Sequence, residues 1–216
     1  MKKLICFSLW GNDVKYTSGA IENAKLAEIY YPGWTCRYYV SSENTSSDII
    51  SALQEYDNCE IVKHSQINSQ CQRLIRFLPL QEPDVEYFIV RDLDSRLGER
   101  EAAAVKEWIG SGHEYHIMRD NVEHAVPMMA GMWGAKGNLV PEFLSLVEDH
   151  KLKLGEGFDT NVQVDQHFLW NYIVPKITSA MVHDESTHLG GNKYPIERSE
   201  NQIPEFIGQS YEDFVL

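Results

Sequence analysis

Short apolar runs alternate with segments of helical pattern along most of the chain, and this alternation is the feature that most constrains its fold. We predict strands over residues 4–9, 35–40, 60–62, 87–90, 115–118, 128–133 and 177–182. Helices are predicted from residue 17 or 18 to 30 and from 46 or 47 to 56, and then over residues 72–80, 99–109, 141–150 and 162–173, before a loop-rich tail over residues 187–216. Such alternation is typical of a sheet covered by helices on both faces. The expected fold class is α/β, with a central, mostly parallel mixed sheet.

Length and charge narrow the possible functions. The chain has 216 residues, and we expect a single domain over residues 1–216. Its formal net charge of -13 repels nucleic acids and anionic membranes. We therefore predict neither a nucleic-acid partner nor a membrane span. A phosphate-bearing ligand would need a metal ion or local basic residues to offset this charge.

The cysteines and the N-terminus indicate a reducing compartment. The four cysteines, Cys6, Cys36, Cys59 and Cys71, contain no Cys-x-x-Cys pair, and we expect free thiols rather than disulfides. The apolar segment at the N-terminus ends at Gly11 and is too short for a signal peptide or a membrane span. The predicted location is cytoplasmic.

Two carboxylates follow the most strand-like run of the chain, residues 87–90. Asp92 and Asp94 stand at positions i and i+2 just beyond it, where both side chains can turn toward one ion. Their hard oxygen atoms suit Mn²⁺ or Mg²⁺, which could stabilise a leaving diphosphate. The alternative is structural, with Asp92 paired to Arg91 or Arg96 and Asp94 capping the next turn.

Other polar or aromatic residues stand where an α/β sheet binds its ligands, beyond the carboxyl ends of the strands. Ser8 and Trp10 close the first strand, and Trp10 is expected either to stack on a base or to pack in the core. Arg73 and Arg76 are three residues apart on one helix face before the carboxylates. Their guanidinium groups suit a nucleotide phosphate, with a solvated pair as the alternative.

The Asp92-Leu93-Asp94 step after an apolar strand resembles the metal motif of the GT-A class of nucleotide-sugar glycosyltransferases. The run containing Gly131 is similar to the small-residue strand that lies beneath the donor sugar in that class, unless it is only a bulged strand. Asp165-Gln166 resembles an Asp-Gln pair beside the sugar and the acceptor. This resemblance implies that Asp165 is the catalytic base or a sugar ligand, although it could simply be a polar residue near a helix start.

The C-terminal region carries the last part of this resemblance. The GT-A class commonly adds a late histidine to the metal, and then a glycine and a lysine to the diphosphate. The resemblance implies His183 as the third metal ligand, with His188 as the alternative, and Gly191 and Lys193 as diphosphate ligands. The interval from Gly191 to Lys193 is one residue shorter than the common pattern.

Three longer stretches, 6–12, 91–96 and 131–137, are similar to a group of small bacterial and viral glycosyltransferases, which includes chlorovirus enzymes that act on capsid glycoproteins. This similarity implies a UDP-sugar donor carrying rhamnose or a glucose-like sugar. It further implies a glycan or glycoprotein acceptor, reached in the host cytoplasm if the protein is encoded by a virus. The chain would then be the first domain of a longer protein.

Two rival functions use some of the same residues. Asp92 and Asp94 also resemble the nucleophile motif of haloacid-dehalogenase-type phosphatases, in which the first aspartate attacks phosphorus. That motif usually follows the first strand, whereas about ninety residues precede it here. A catalytically inactive sugar-binding module would keep the aromatic residues without needing both aspartates and a late histidine.

Overall fold

A computed structural model describes residues 1–64, 69–199 and 205–211, and seven strands form one sheet within these ranges. The strands are β1 (Lys2–Leu9), β2 (Thr35–Ser41), β3 (Cys59–His64), β4 (Val85–Val90), β5 (Tyr115–Arg119), β6 (Trp133–Lys136) and β7 (Ala180–Asp184). Their order is β3-β2-β1-β4-β6-β5-β7. All neighbours pair in parallel except β6, which is antiparallel to both β4 and β5. The predicted mixed, mostly parallel α/β sheet is confirmed.

Helices connect the strands and cover the sheet. They are α1 (Val14–Tyr30), α2 (Ser47–Gln54), α3 (Ser69–Ile75), α4 (Glu99–Ser111), α5 (Phe143–Leu154), α6 (Gly157–Thr160) and α7 (Val164–Phe168). One π-helical turn, Leu169–Ile173, continues α7, and short 3₁₀ turns lie at Leu78–Gln81, Val122–His124 and Val174–Lys176. None of the helices in the described ranges has the length and apolarity needed to cross a bilayer.

Strand β1 shows how the sheet separates two hydrophobic cores. Successive side chains of a strand point to opposite faces. Leu4 and Cys6 accordingly belong to a core that includes Phe77, Trp133 and Phe168, whereas Ile5, Phe7 and Leu9 belong to one that includes Trp108 and residues of α1. Burial on both faces explains why β1 reads as a continuous apolar run.

Most elements begin or end some residues away from their predicted bounds, and α1, β6 and β7 show the physical reasons. Helix α1 begins at Val14 because Asp13 caps it, accepting a hydrogen bond from the Lys15 backbone N–H. The predicted strand over residues 128–133 was wrong, since β6 begins at Trp133 and Gly131 lies in the loop before it. A Cβ atom at Gly134 would come within 2.7 Å of the Phe88 carbonyl oxygen, so this glycine lets β6 lie close to β4.

Strand β7 also begins later than predicted. Ile177 closes a 3₁₀ turn by donating its N–H to the Val174 carbonyl, and β7 starts at Ala180, opposite Tyr115 of β5. His183 is therefore inside the strand and does not follow it. The register with β5, which pairs residues 115–119 with residues 180–184, fixes this boundary.

The cysteine prediction is confirmed wherever it can be examined. Cys6, Cys36 and Cys59 are free thiols, the first two buried. Burial is the main cause that raises the pKa of each of these thiols above the ordinary value, so all three stay protonated near neutral pH. The Cys71 side chain lies outside the described part of the chain.

Candidate active site

A cavity of about 250 Å³ opens at the carboxyl ends of β1 and β4. These two strands are neighbours, but β1 is followed in the chain by β2 on one side, whereas β4 is followed by strands on the other side. Chains diverge in this way at a topological switch point, where α/β sheets bind their ligands. The pair β1 and β4 is such a switch point, and the cavity lies beside it.

Eight of the residues proposed from the sequence line this one cavity, although they come from five separate parts of the chain. They are Ser8, Trp10, Arg73, Arg76, Asp92, Asp94, Gly131 and Asp165. The wall also includes Tyr16, Leu93, Met129, Ala130 and Gln166. Three aspartates and two arginines in the wall leave it with a small negative formal charge.

Arg76 joins the two sides of the cavity. One terminal nitrogen of its guanidinium donates to Oδ1 of Asp92 and the other to Oδ2 of Asp165, at 3.0 Å. The first nitrogen also donates to the Arg91 carbonyl oxygen, at 3.1 Å. Burial alone would lower the pKa of Arg76, but the two carboxylates outweigh it and raise the pKa above its usual value. The guanidinium is thus a fixed positive charge between two carboxylates.

Asp92 stands between Arg76 and Gly131. Its side chain is 48% exposed, whereas those of Arg76 and Asp165 are each 7% exposed. A Cβ atom at Gly131 would overlap Oδ2 of Asp92. The glycine therefore gives the carboxylate room to face the cavity.

Asp94 is held from two directions. Its Oδ2 lies 3.1 Å from the Lys15 ammonium and accepts a hydrogen bond of 3.0 Å from the Ser210 hydroxyl. The Tyr211 backbone N–H donates to the Asp94 carbonyl oxygen at 2.7 Å. The segment 205–211 thus returns to the end of β4, a contact that the sequence analysis missed.

Part of the cavity wall is aromatic and basic. The Arg73 guanidinium carbon lies 5.3 Å from the centroid of the Trp10 ring, within the range of a cation–π contact. Tyr16, in the first turn of α1, is 37% exposed and lines the same cavity. Tyr16 was not predicted as a site residue, although an aromatic residue shortly after the first strand was a usable signal.

Gln166 holds the loop that forms the floor beside Gly131. Its amide nitrogen donates to the Met128 carbonyl oxygen, and its amide oxygen accepts from the Ala130 N–H at 3.0 Å. Trp170 also donates to the Met128 carbonyl, at 3.2 Å. The backbone N–H of Gln166 donates to Oδ1 of Asp165 at 2.9 Å, so both oxygens of that buried carboxylate are oriented.

Four residues of the C-terminal prediction do not line this cavity. His183 is fully buried, with Nδ1 at 2.8 Å from Nε2 of His116 and Nε2 at 3.2 Å from a Glu107 carboxylate oxygen. His188, Gly191 and Lys193 lie on the exposed chain after β7, where Asn192 pairs with the backbone of that strand. The structure therefore does not bring them to Asp92 and Asp94.

The structure pairs Asp92 with neither Arg91 nor Arg96. Arg91 is buried and donates to Glu101 at 3.3 Å and to the Val90 carbonyl oxygen at 2.7 Å. Arg96 donates to the backbone carbonyl oxygens of Leu93 and Ser95. The Asp92 carboxylate therefore pairs with Arg76 and faces the cavity.

Asp92 and Asp94 are too few to enclose a metal ion with protein ligands alone. Among the residues that the structure describes, no three His, Cys, Asp or Glu side chains come together to enclose an ion. Mg²⁺ is usually bound by one or two carboxylates together with substrate phosphates and water. Asp92 and Asp94 both line the cavity wall and are the candidate ligands for an ion of this kind.

The sheet order and the position of the cavity define the fold as GT-A, the α/β fold of nucleotide-diphospho-sugar transferases. No protein-family model and no curated protein sequence matches the chain. Similarity is found among solved structures.

These similar structures share low sequence identity with the chain. The galactosyltransferase LgtC, solved with donor and acceptor sugar analogues, has a TM-score of 0.54 and 11% identity over 84% of this chain and 73% of its own. Residues 1–349 of TarS from S. aureus have a TM-score of 0.53 and 9% identity, over 90% of this chain and 59% of that one. A glycosyltransferase involved in glycosylating the major capsid of PBCV-1 has 18% identity, with a TM-score of 0.49, over 85% of this chain and 82% of its own.

A fourth similar structure is of another kind. The 4-diphosphocytidyl-2C-methyl-D-erythritol synthase of Anaerococcus prevotii has a TM-score of 0.51 and 11% identity, over 85% of this chain and 88% of its own. Because glycosyltransferases and this synthase share the fold, the fold alone does not identify the reaction. The reaction has to be argued from the side chains in the cavity.

Proposed function

We propose that the protein is a metal-dependent glycosyltransferase that moves a sugar from a UDP-sugar to a glycan acceptor. One observation carries the proposal. Asp92 and Asp94 share a cavity at the switch point with Asp165 and with the aromatic and basic residues Trp10, Tyr16 and Arg73. Carboxylates for a metal, a cation for phosphate and rings for a base are the groups that a nucleotide-sugar requires.

The diphosphate would lie between the carboxylates and Arg73. Asp92 and Asp94 would hold Mn²⁺ or Mg²⁺, and the bound ion would take up negative charge from the leaving diphosphate. The Arg73 guanidinium lies over Trp10 on the same cavity wall and suits a phosphate oxygen. We assign the phosphate to Arg73 in place of Lys193, which is exposed outside the cavity wall.

The base and the sugar would occupy different ends of the cavity. Trp10 and Tyr16 offer ring faces on which a uracil can stack. Gly131 lines the cavity and makes room for the Asp92 carboxylate, and Gln166 holds that part of the loop, beside which the sugar ring would lie. Donor binding therefore depends on side chains from both halves of the sheet.

Asp165 is our candidate on the acceptor side. Each of its oxygens accepts one hydrogen bond, from the Gln166 N–H and from Arg76. A carboxylate has further lone pairs available, so Asp165 can also accept a hydrogen bond from a sugar hydroxyl, as an acceptor base or as a sugar ligand. Asp165→Asn would keep the size and shape of the side chain and remove its ability to accept a proton.

The identity of the sugar and of the acceptor rests on the sequence resemblance. Rhamnose or a glucose-like sugar, and a glycan on a capsid glycoprotein, are the proposed donor sugar and acceptor. The cytoplasm is the proposed compartment. A panel of UDP-sugars with free mono- and disaccharide acceptors would test the first part of this proposal directly.

Turnover distinguishes transfer from phosphate hydrolysis. We expect UDP release from UDP-glucose or UDP-rhamnose, with Mn²⁺ required and Asp92→Asn lowering the rate at least about 100-fold. Rapid hydrolysis of a generic phosphomonoester, abolished by the same substitution, would instead establish Asp92 as the nucleophile of a phosphatase. Binding of UDP-sugars without any turnover in the presence of acceptors would point to a sugar-binding module.

A further inference from the structure

Arg76 is buried and already paired within the protein, unlike an arginine that is available to bind a phosphate. Its side chain is 7% exposed, and its two terminal nitrogens already donate to carboxylates on different elements. Those carboxylates belong to Asp92, after β4, and to Asp165, in α7, which lie 73 residues apart in the chain. A planar guanidinium can hold two acceptors at a fixed mutual angle, whereas a lysine ammonium is a point charge on a flexible stem.

The hydrogen bonds of Arg76 determine which oxygen of Asp92 faces the floor of the cavity. Oδ1 accepts from Arg76, and Oδ2 points toward the space above Gly131. A third bond, to the Arg91 carbonyl oxygen, ties the guanidinium to the backbone at the end of β4. Rotation of the Asp92 carboxylate would break its bond to Arg76.

Arg73, in helix α3, provides the contrast, because Arg76 lies in the turn directly after that helix. The Arg73 guanidinium lies over the Trp10 ring at 5.3 Å, and the residue is only half buried. Arg73 can therefore turn its donors to a ligand. Arg76 uses most of its donors within the protein.

We propose that Arg76 is a positioning residue that binds no phosphate itself but orients Asp92 toward the metal and Asp165 toward the sugar, coupling the two sides of the site. This inference rests on the proposed function. Partners that orient metal ligands typically contribute about 10- to 100-fold to metal affinity. The same range is expected for the loss of this guanidinium.

The test is a double-mutant cycle in binding affinity. Calorimetry would measure the affinity of UDP, at one fixed Mn²⁺ concentration that does not saturate the wild type, for the wild type, Arg76→Lys, Asp92→Asn and the double variant. If Arg76 acts through Asp92, Arg76→Lys weakens binding about 10- to 100-fold in the wild type and has little further effect beside Asp92→Asn. Arg73→Lys is the matched control, because Arg73 is assigned to the phosphate. It should weaken UDP binding by a similar factor in the wild type and in Asp92→Asn.

A second pair of variants protects the test against loss of folding. Arg76→Met together with Asp165→Asn removes a buried charge along with its partner, which avoids leaving an unpaired ion inside the protein. This double variant should fold, and it should bind UDP with Mn²⁺ more weakly than Asp165→Asn alone because Asp92 is no longer held.

The outcomes separate the two proposals. Wild-type protein that fails to bind UDP with Mn²⁺ contradicts the proposed function and the role of Arg76 with it. Wild-type protein that binds, with effects of Arg76→Lys and Asp92→Asn that simply multiply, overturns only the positioning role and makes Arg76 a direct ligand. Equal affinities for Asp165→Asn and for Arg76→Met/Asp165→Asn would also overturn it.

Discussion

The carboxylate of Asp92 occupies the space that a side chain at Gly131 would need. The two residues lie in different loops, one after β4 and one before β6, and meet because those strands are antiparallel neighbours. The glycine in this motif is therefore required by a specific carboxylate, and the pair offers a direct way to disturb the site without touching a charged residue.

Gly131→Ala should impair the site and spare the fold. The added methyl group would push the Asp92 carboxylate away from its present position, so we expect UDP affinity in Mn²⁺ to fall at least about 10-fold, as when an outer partner of a metal ligand is lost. Calorimetry and thermal unfolding would measure binding and folding separately. Gly110→Ala is the control, because a Cβ atom there meets no atom within 4 Å in helix α4; a similar loss of binding in this variant would contradict the prediction.

Arg91→Met should destabilise the whole protein. Arg91 and Glu101 form an ion pair whose side chains are 1% and 3% exposed, and the Tyr31 hydroxyl donates to the same Glu101 carboxylate at 2.7 Å. Removing one partner leaves an uncompensated buried charge, which costs about 3–5 kcal/mol in the free energy of unfolding. Urea denaturation would measure this loss. Lys153→Met, at an exposed ion pair, should change the stability little.

Gln166→Leu should loosen the floor of the cavity. The substitution removes the hydrogen bonds to Met128 and Ala130, and the Trp170 bond to the Met128 carbonyl remains. We expect a loss of about 1–3 kcal/mol in unfolding free energy, together with weaker binding of the donor. Unchanged affinity for UDP-sugars would show that the loop of residues 128–131 does not contact the donor.

His150 should contribute to the pH dependence of stability. It is buried, its Nε2–H donates to the Val164 carbonyl oxygen at 3.2 Å, and burial lowers its pKa below the ordinary value of 6.5. As the pH falls below about 6.5 the unfolded chain binds a proton that the folded chain does not, so this contribution is complete above that pH and is lost in acid.

Urea denaturation between pH 8 and pH 5 would test this contribution. His150→Phe should lose less stability on acidification than the wild type, because the contribution of His150 is gone. Some loss should remain because other histidines still titrate. The exposed His188, changed to Gln, is the control and should leave the slope as it is. An unchanged slope for His150→Phe would contradict the prediction.

Much of the candidate site could be predicted because strand ends are visible in a sequence. Asp92 and Asp94 were proposed because they follow an apolar strand, and Asp165 was proposed from the resemblance of Asp165-Gln166 to a GT-A pair. Their contacts were not predictable. Arg76 meets Asp165 across 89 residues and Ser210 meets Asp94 across 116, and the register that makes such contacts is set only by the packed sheet.

The least predictable part was the second half of the chain. The pattern placed a strand over residues 128–133, but the side chain of Gln166 holds residues 128–130 as a loop, and that side chain comes from another element. His183 looked like a residue beyond a strand, yet pairing with β5 extends β7 past it and buries it against His116. Tertiary contacts decided both cases, and local sequence patterns do not record them.

Calorimetry of UDP binding with and without Mn²⁺, on the wild type and on Asp94→Ala, tests the central claim most directly. We predict binding that Mn²⁺ strengthens at least about 10-fold in the wild type and that loses this dependence in Asp94→Ala. Asp84→Ala, at an exposed carboxylate next to the opposite end of β4, should behave like the wild type. Binding of equal strength with and without Mn²⁺ in the wild type and in Asp94→Ala would contradict the metal-dependent nucleotide-sugar site.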